Sequence, residues 1–284
     1  MHPAMAARAL AGLTPVDRLT VGHYMMRRWS LEEDVRALER LGFRSISLAS
    51  SKLAAYGTRR AVRLLRSSSL QVAHMSSWGF FGTTRASARR GVESVRRALG
   101  WAHALEADVL VVISGSRGAE RWERAAEVFL DCYARLVPEA AVAGVKLAIE
   151  VIHPLRQDLS FVNTIGDARR LARAAGRRGG WVLDLWHSAW EPELLDLIRR
   201  DARRRIHAVQ ISDYKKVTTR SLDRALLGRG ILPLRDVFAM LESRGYRGWY
   251  EIEIISDDVD RMGYERVLRE TRRAFGRLMA GARG

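Results

Sequence analysis

Cysteine is almost missing from this chain, and lysine is nearly so. The one cysteine, Cys132, sits in a helix-like stretch, EVFLDCYARL. No disulfide framework and no thiolate metal site can therefore be built, and the residue reads as a small buried apolar side chain. Long hydrophobic runs are absent as well: nothing approaches the ~18 consecutive apolar residues that cross a bilayer. The N-terminus, MHPAMAARALAGLTP, lacks the basic start and apolar stretch of a leader. These absences point to a soluble, cytoplasmic protein without a membrane partner.

Only Lys52, Lys146, Lys215 and Lys216 are lysines, so 44 of the 48 basic residues are arginine. A formal charge of +16 would ordinarily suggest nucleic acid. Here the arginines recur through nearly every helix, with no basic tail and no low-complexity segment. That spread reads as an arginine-biased coding sequence decorating solvated helix faces, and it argues against a nucleic-acid partner.

What the chain does have is alternation. Strand patterns at 19–24, 44–49, 70–75, 108–114, 145–151, 181–185, 206–212 and 249–255 are each followed by a helix pattern. The first helix carries its own punctuation: Ser30 as N-cap, Glu33 at the capping-box position and Gly42 as the stop. Others follow near 58–67, 85–106, 119–143, 164–176, 192–201 and 260–280, with LPLRDVFAMLESRG between the last two strands. Eight strand–helix units without a leftover strand favour a closed parallel barrel, and 284 residues lie near the roughly 250 of that fold. The expectation is an α/β protein, a single (β/α)8 TIM-barrel domain spanning 1–284.

Three apolar runs in the second half end on an acid: KLAIE at Glu150, WVLD at Asp184 and YEIE at Glu253. A fourth, IHAVQ, ends on Gln210. In a barrel these positions lie at the C-terminal strand ends, where active sites are built. The long stretches after strands 3, 5 and 7 suit that placement. Three carboxylates and an amide oxygen form an all-oxygen set, which suits Mg2+ or Mn2+ better than zinc. Because side chains alternate along a strand, Lys146 and Glu251 are expected to face inward below Glu150 and Glu253, as a buried ion pair.

Two histidines follow an acid by three residues, His153 after Glu150 and His187 after Asp184, and are expected on loops directed at a ligand. His23 and His74, near the first and third strand ends, can also face the mouth. Trp78, Trp186 and Trp190 fall in top loops, where flat rings stack on the C–H face of a sugar; Trp101 and Trp122 lie on helices and read as core. The segments SGSRG (114–118) and LGRG (227–230) can cradle an anion, although neither is a full phosphate loop.

The motifs AIEVIHPL, VLDLWHSAWEPEL, HAVQISDY, the G-x-G before ILPL, and GYRGWYEIEIIS resemble the sugar phosphate isomerase/epimerase superfamily, the xylose-isomerase-like TIM barrels. The resemblance spans roughly 145–256. It implies a divalent metal held by Glu150, Asp184, Gln210 and Glu253. By similarity to the ketose 3-epimerases of the group, it also implies that Glu150 and Glu253 move the proton and that His187 binds substrate. A metal-polarised carbonyl then loses a neighbouring proton through an enediolate. The substrate implied is a keto-sugar or related polyol ketone, with His153, His74, Trp186, Trp190 and Trp78 as further binding candidates.

Two departures stand out. The epimerases carry histidine where this chain has Gln210, a weaker ligand, and their arginine after the strand-7 acid has only Arg220 and Arg224 as candidates. Alternative outcomes are a lyase or dehydratase working by β-elimination at the same site, a barrel that has lost catalysis, and an apurinic-site endonuclease, for which the histidines and acids are too few. A homo-oligomer is compatible with the sequence.

Overall fold

The computed structural model describes residue 10 and residues 12–79, 81–218, 220 and 222–282. Residues 1–9 and 11, on which the reading of the N-terminus rests, lie outside them.

Eight parallel strands form a nearly closed barrel with helices between them. The barrel strands are β1 (Leu19–Val21), β2 (Ser45–Ala49), β3 (Gln71–Ser77), β4 (Val109–Val112), β5 (Lys146–Glu150), β6 (Gly180–Asp184) and β7 (Ile206–Ile211), with β10 (Tyr250–Ile252) as the eighth. Around the ring they run β1-β10-β7-β6-β5-β4-β3-β2, and an isolated parallel bridge between Gly22 and Ser47 closes β1 onto β2. The segment predicted as strand 19–24 stops early because the chain turns at Gly22 into a 3-10 turn, His23–Met26. Among the described residues no helix is long and apolar enough to cross a membrane.

The main helices are α1 (Leu31–Arg40), α2 (Ser50–Tyr56), α3 (Thr58–Ser67), α4 (Arg85–Ala104), α5 (Trp122–Val142), α6 (Ile165–Ala174), α7 (Leu185–Ser188), α8 (Leu194–Asp201), α9 (Leu234–Ser243), α10 (Asp257–Met262) and α11 (Tyr264–Gly281). Helix α1 has the expected capping box: Ser30 N–H donates to Glu33 Oε2 at 2.7 Å, and Glu33 N–H to Ser30 Oγ at 3.3 Å. Gly57, at φ +90°, splits the segment after β2 into α2 and α3, where the sequence pattern suggested one helix. Cys132 is buried in α5, and Trp101 and Trp122 pack against the core as expected.

Two apolar regions result. The larger lies between strands and helices. A small second one, Val109, Val111, Ala148, Val182 and Ala208, fills the barrel itself. Strand alternation links that plug to the site. Two residues beyond Ala148, Val182 and Ala208 on the same inward face come Glu150, Asp184 and Gln210. A dry floor of small and β-branched side chains thus carries a polar layer one step above it.

An element absent from the eight-unit reading lies in the connection after β7. A two-stranded antiparallel ribbon, β8 (Asp213–Tyr214) with β9 (Arg224–Ala225), folds back over the mouth. Its pivot is Asp213, whose carboxylate accepts from the backbone N–H groups of Tyr214, Gly228, Gly230 and Leu232, at 2.8–3.0 Å. LGRG therefore does cradle an anion, but the anion is the chain's own Asp213. SGSRG has a structural task too: Ser114 Oγ lies 2.8 Å from Ser160 Oγ, which ties the loops after β4 and β5 together.

Candidate active site

The strand ends bring Glu150, Asp184, Gln210 and Glu253 together at one mouth, all buried. Asp184 N-caps α7: its Oδ1 accepts from Trp186 N–H at 2.8 Å and from His187 N–H at 3.2 Å. Its Oδ2 is turned inward, where it has an ionic neighbour but no hydrogen-bond partner. Glu253 Oε2 and Gln210 Oε1 are likewise buried without a hydrogen-bond partner.

The neighbour of Asp184 is Arg224, which the β8–β9 ribbon delivers to the centre of the site. Fully buried, it places Nη1 3.0 Å from Asp184 Oδ2 and Nη2 3.5 Å from Glu253 Oε1. Nη1 also donates to the Glu253 carbonyl at 2.8 Å. Arg220, the other candidate for this role, is exposed and pairs with Asp257 at 2.7 Å. Sequence spacing could not choose between them, because the choice depends on where a ribbon folds back.

Three carboxylates against one guanidinium leave the site short of positive charge. Burial, reinforced by Glu253 and Asp184, holds the Glu150 carboxyl well above the usual carboxylate range. Burial also pushes Glu253 up to about 8, against the opposing pull of Arg224. Both shifts follow from burying several acids around one guanidinium. Among the described residues, one ligand atom each from Glu150, Asp184 and His187 lie within 4.8 Å of one another, a possible metal site.

His187 is buried beside Asp184, with burial lowering its pKa to about 3, so the ring is neutral. Its Nδ1 accepts from the His153 backbone N–H at 3.0 Å, which leaves the ring hydrogen on Nε2. Two donors this close, His187 Nε2 and Arg224 Nη2 at 3.3 Å, suit an oxygen that accepts from both better than a metal ion on His187.

The carboxylates, Gln210, His187, Arg224 and His74 surround a cavity of about 290 Å³, although Asp184 itself lies just behind its wall. Trp78, 40% exposed, lines its rim and donates from Nε1 to Tyr24 Oη at 2.5 Å. Three other predicted contacts are not on the cavity wall. Trp186 is enclosed because α7 turns it down onto Tyr214, with ring centroids 5.5 Å apart and planes at 17°. It supports the Arg224 guanidinium, 5.6 Å from its ring, instead of a sugar. Trp190 is held outside by its Nε1–H bond to the His187 carbonyl at 2.9 Å. The His153 ring caps the short turn at Pro154, and only its backbone serves the site, through His187.

The expected Lys146–Glu251 pair does not form. Lys146 opens β5 at the far end of the barrel, where its stem reaches solvent and pairs with Asp108 at 2.9 Å. Glu251 stands level with Gln210, several residues further along the axis, and pairs with His74 at 2.7 Å. Alternation placed both side chains on the inward face, but height along the barrel depends on strand stagger, which one strand's pattern does not contain.

A parallel eight-stranded barrel with buried carboxylates gathered at its C-terminal mouth defines a TIM barrel with an acidic site at the strand ends. The chain belongs to the xylose isomerase-like TIM barrel family, whose model matches residues 35–277. It is 29% identical over 131 residues to the inosose isomerase of Halalkalibacterium halodurans, an alignment covering 44% of this chain and 45% of that protein. The chain thus spans less than half the length of that curated relative. Among solved structures, it superposes on protein SMc04130 from Sinorhizobium meliloti 1021 with TM-score 0.86 and 28% identity, covering 93% of this chain and 98% of that one. The IOLI protein with a bound zinc atom gives TM-score 0.81 at 17% identity (92% and 98% covered). An L-ribulose 3-epimerase gives 0.77 at 19% (93% and 95%). The last two likenesses are of fold.

Proposed function

We propose that this protein is a divalent-metal-dependent isomerase or epimerase acting on a keto-sugar or related polyhydroxy ketone. The observation that carries the reading is the cluster of strand-end groups at one mouth: Glu150, Asp184 and His187 offer ligand atoms within 4.8 Å of one another, and Gln210 and Glu253 are buried at the neighbouring strand ends. Carboxylates gathered in a buried site are costly without positive charge, and a hard cation held among these oxygens would offset that cost. Three carboxyls share one guanidinium, Arg224, a shortage of positive charge that a divalent ion would relieve. When bound, such an ion, Mg2+ or Mn2+, would polarise the substrate carbonyl.

Glu150 and Glu253 are the proton carriers. Burial and the neighbouring acids hold both carboxyls above the usual carboxylate range in the absence of a metal, a shift that a bound cation would oppose. Arg224 and the Nε2–H of His187 supply donors to an oxygen on which negative charge develops, as an enediolate requires. The rim aromatic Trp78 offers an apolar face to a ring of C–H groups.

The test is deuterium wash-in. Metal-loaded protein is incubated in D2O with ketohexoses and a cyclic polyhydroxy ketone, and exchange next to the carbonyl is followed by NMR. Exchange should appear in the wild type and fall by at least ~100-fold in Glu150→Gln and in Glu253→Gln. Absence of bound metal together with unchanged exchange in both variants would sink the reading. Loss of water from the product would assign a dehydratase instead.

A further inference from the structure

The cavity holds a second polar pair that this chemistry leaves unused. His74 of β3 is 1% exposed, and its Nδ1 lies 2.7 Å from Glu251 Oε2. Its Nε2 is buried without any hydrogen-bond partner, and both residues line the cavity. Around the barrel, β3 and β10 are separated by β2 and β1, so Glu251 reaches across the interior to make the contact. Room for that reach comes from Gly22, where an added Cβ would lie 2.6 Å from Glu251 Oε1. A buried polar pair is a poor way to fill a barrel, since apolar side chains of similar size stabilise it at least as well. Its geometry is that of an oriented base. With Nδ1–H donated to the carboxylate, Nε2 carries the lone pair, on a ring that forms part of the cavity wall.

We propose that His74, held in this tautomer by Glu251, takes and returns an oxygen-bound proton of the substrate, and that the reaction moves the carbonyl between neighbouring carbons. The inference rests on the keto-sugar reading above. Moving a carbonyl one carbon along requires two proton transfers. The C–H proton of the hydroxyl-bearing carbon passes through a glutamate to the former carbonyl carbon. The O–H proton of the same carbon leaves to His74 Nε2, giving an imidazolium beside Glu251, and is returned to the former carbonyl oxygen. One carbon is oxidised as its neighbour is reduced, so no outside oxidant or reductant enters. Inverting a stereocentre needs only the carbon-bound proton and would leave His74 Nε2 without a task. His74 is thus the oxygen-directed catalytic residue and Glu251 its positioning residue.

The experiment uses Mg2+-loaded protein with an inosose and with D-tagatose, each in D2O, and reads two rates in one NMR time course. One is wash-in next to the carbonyl; the other is appearance of the carbonyl-shifted isomer. His74→Asn keeps a polar atom near the Nδ1 position, so Glu251 retains a partner while the Nε2 atom is lost. It should slow the shift ~100-fold while wash-in falls by less than about tenfold. Glu251→Gln should lower the same ratio. Equal loss of both rates, or a wild type that gives only an epimer, would overturn the inference. If the wild type exchanges no proton with either probe, the keto-sugar reading is what fails. The 15N spectrum of His74 then decides about the pair: a neutral ring with its hydrogen on Nδ1 upholds it, and a hydrogen on Nε2 refutes it.

Discussion

Replacing Arg224 by methionine keeps most of the side-chain volume and deletes only the charge and its donors. In the wild type the guanidinium is fully buried, 3.0 Å from Asp184 and 3.5 Å from Glu253. Removing one partner of such a buried group leaves uncompensated carboxylates, a loss of about 3–5 kcal/mol. At roughly 2 °C per kcal/mol for a chain of this size, the melting temperature in EDTA should fall by ~6–10 °C. The penalty should be smaller at pH 5 than at pH 8, because carboxyls already raised by burial can protonate instead of remaining charged. Saturating Mn2+ should recover most of the loss, and the variant should bind the ion more tightly than the wild type, because a competing positive charge has gone. Thermal denaturation followed by circular dichroism, with and without metal, measures the first effect; calorimetric titration measures the second. A variant as stable as the wild type in EDTA, with unchanged metal affinity, would refute the view that Arg224 and a divalent ion share one charge deficit.

Two further outcomes follow from the same contacts. His207 packs against Gly180, its Nδ1 is buried without a partner, and burial lowers its pKa to about 4. A depressed histidine pKa contributes stability that is complete above the unfolded value near 6.5 and is lost as pH falls through about 4, here at most about 3 kcal/mol since the ring keeps some exposure. His207→Asn should flatten urea-unfolding free energies across that window, and an unchanged slope would count against it. In Gly230→Ala the new Cβ would lie 2.3 Å from Asp213 Oδ1 and from the Tyr214 carbonyl, so the Asp213 cradle must open and the ribbon carrying Arg224 must shift. The expected cost is about 1–3 kcal/mol with a disproportionate loss of proton exchange; full exchange in a destabilised variant would argue that the ribbon does not position the site.

Period and punctuation were enough to read the barrel. Each strand's inward face and end position follow from a repeat of two and an acid in the last place, which is why Glu150, Asp184, Gln210 and Glu253 were legible as neighbours before any coordinates. The same local logic placed the α1 cap at Ser30 and buried Cys132. It could not set heights: alternation put Lys146 and Glu251 on the inward face, but stagger between strands gave Lys146 to Asp108 and Glu251 to His74. It could not follow a chain that reverses over the mouth, which is how Arg224 reaches the carboxylates while Arg220 stays at the surface. Nor could it tell a ring that faces a ligand from one that supports a side chain that does, as Trp186 supports Arg224. What the sequence by itself determined is therefore periodic and local, the barrel and the ring of strand-end oxygens. Tertiary structure alone decided which distant charges complete that ring, because a contact between residues far apart in the chain depends on register, stagger and loop path, none of which is encoded within one element.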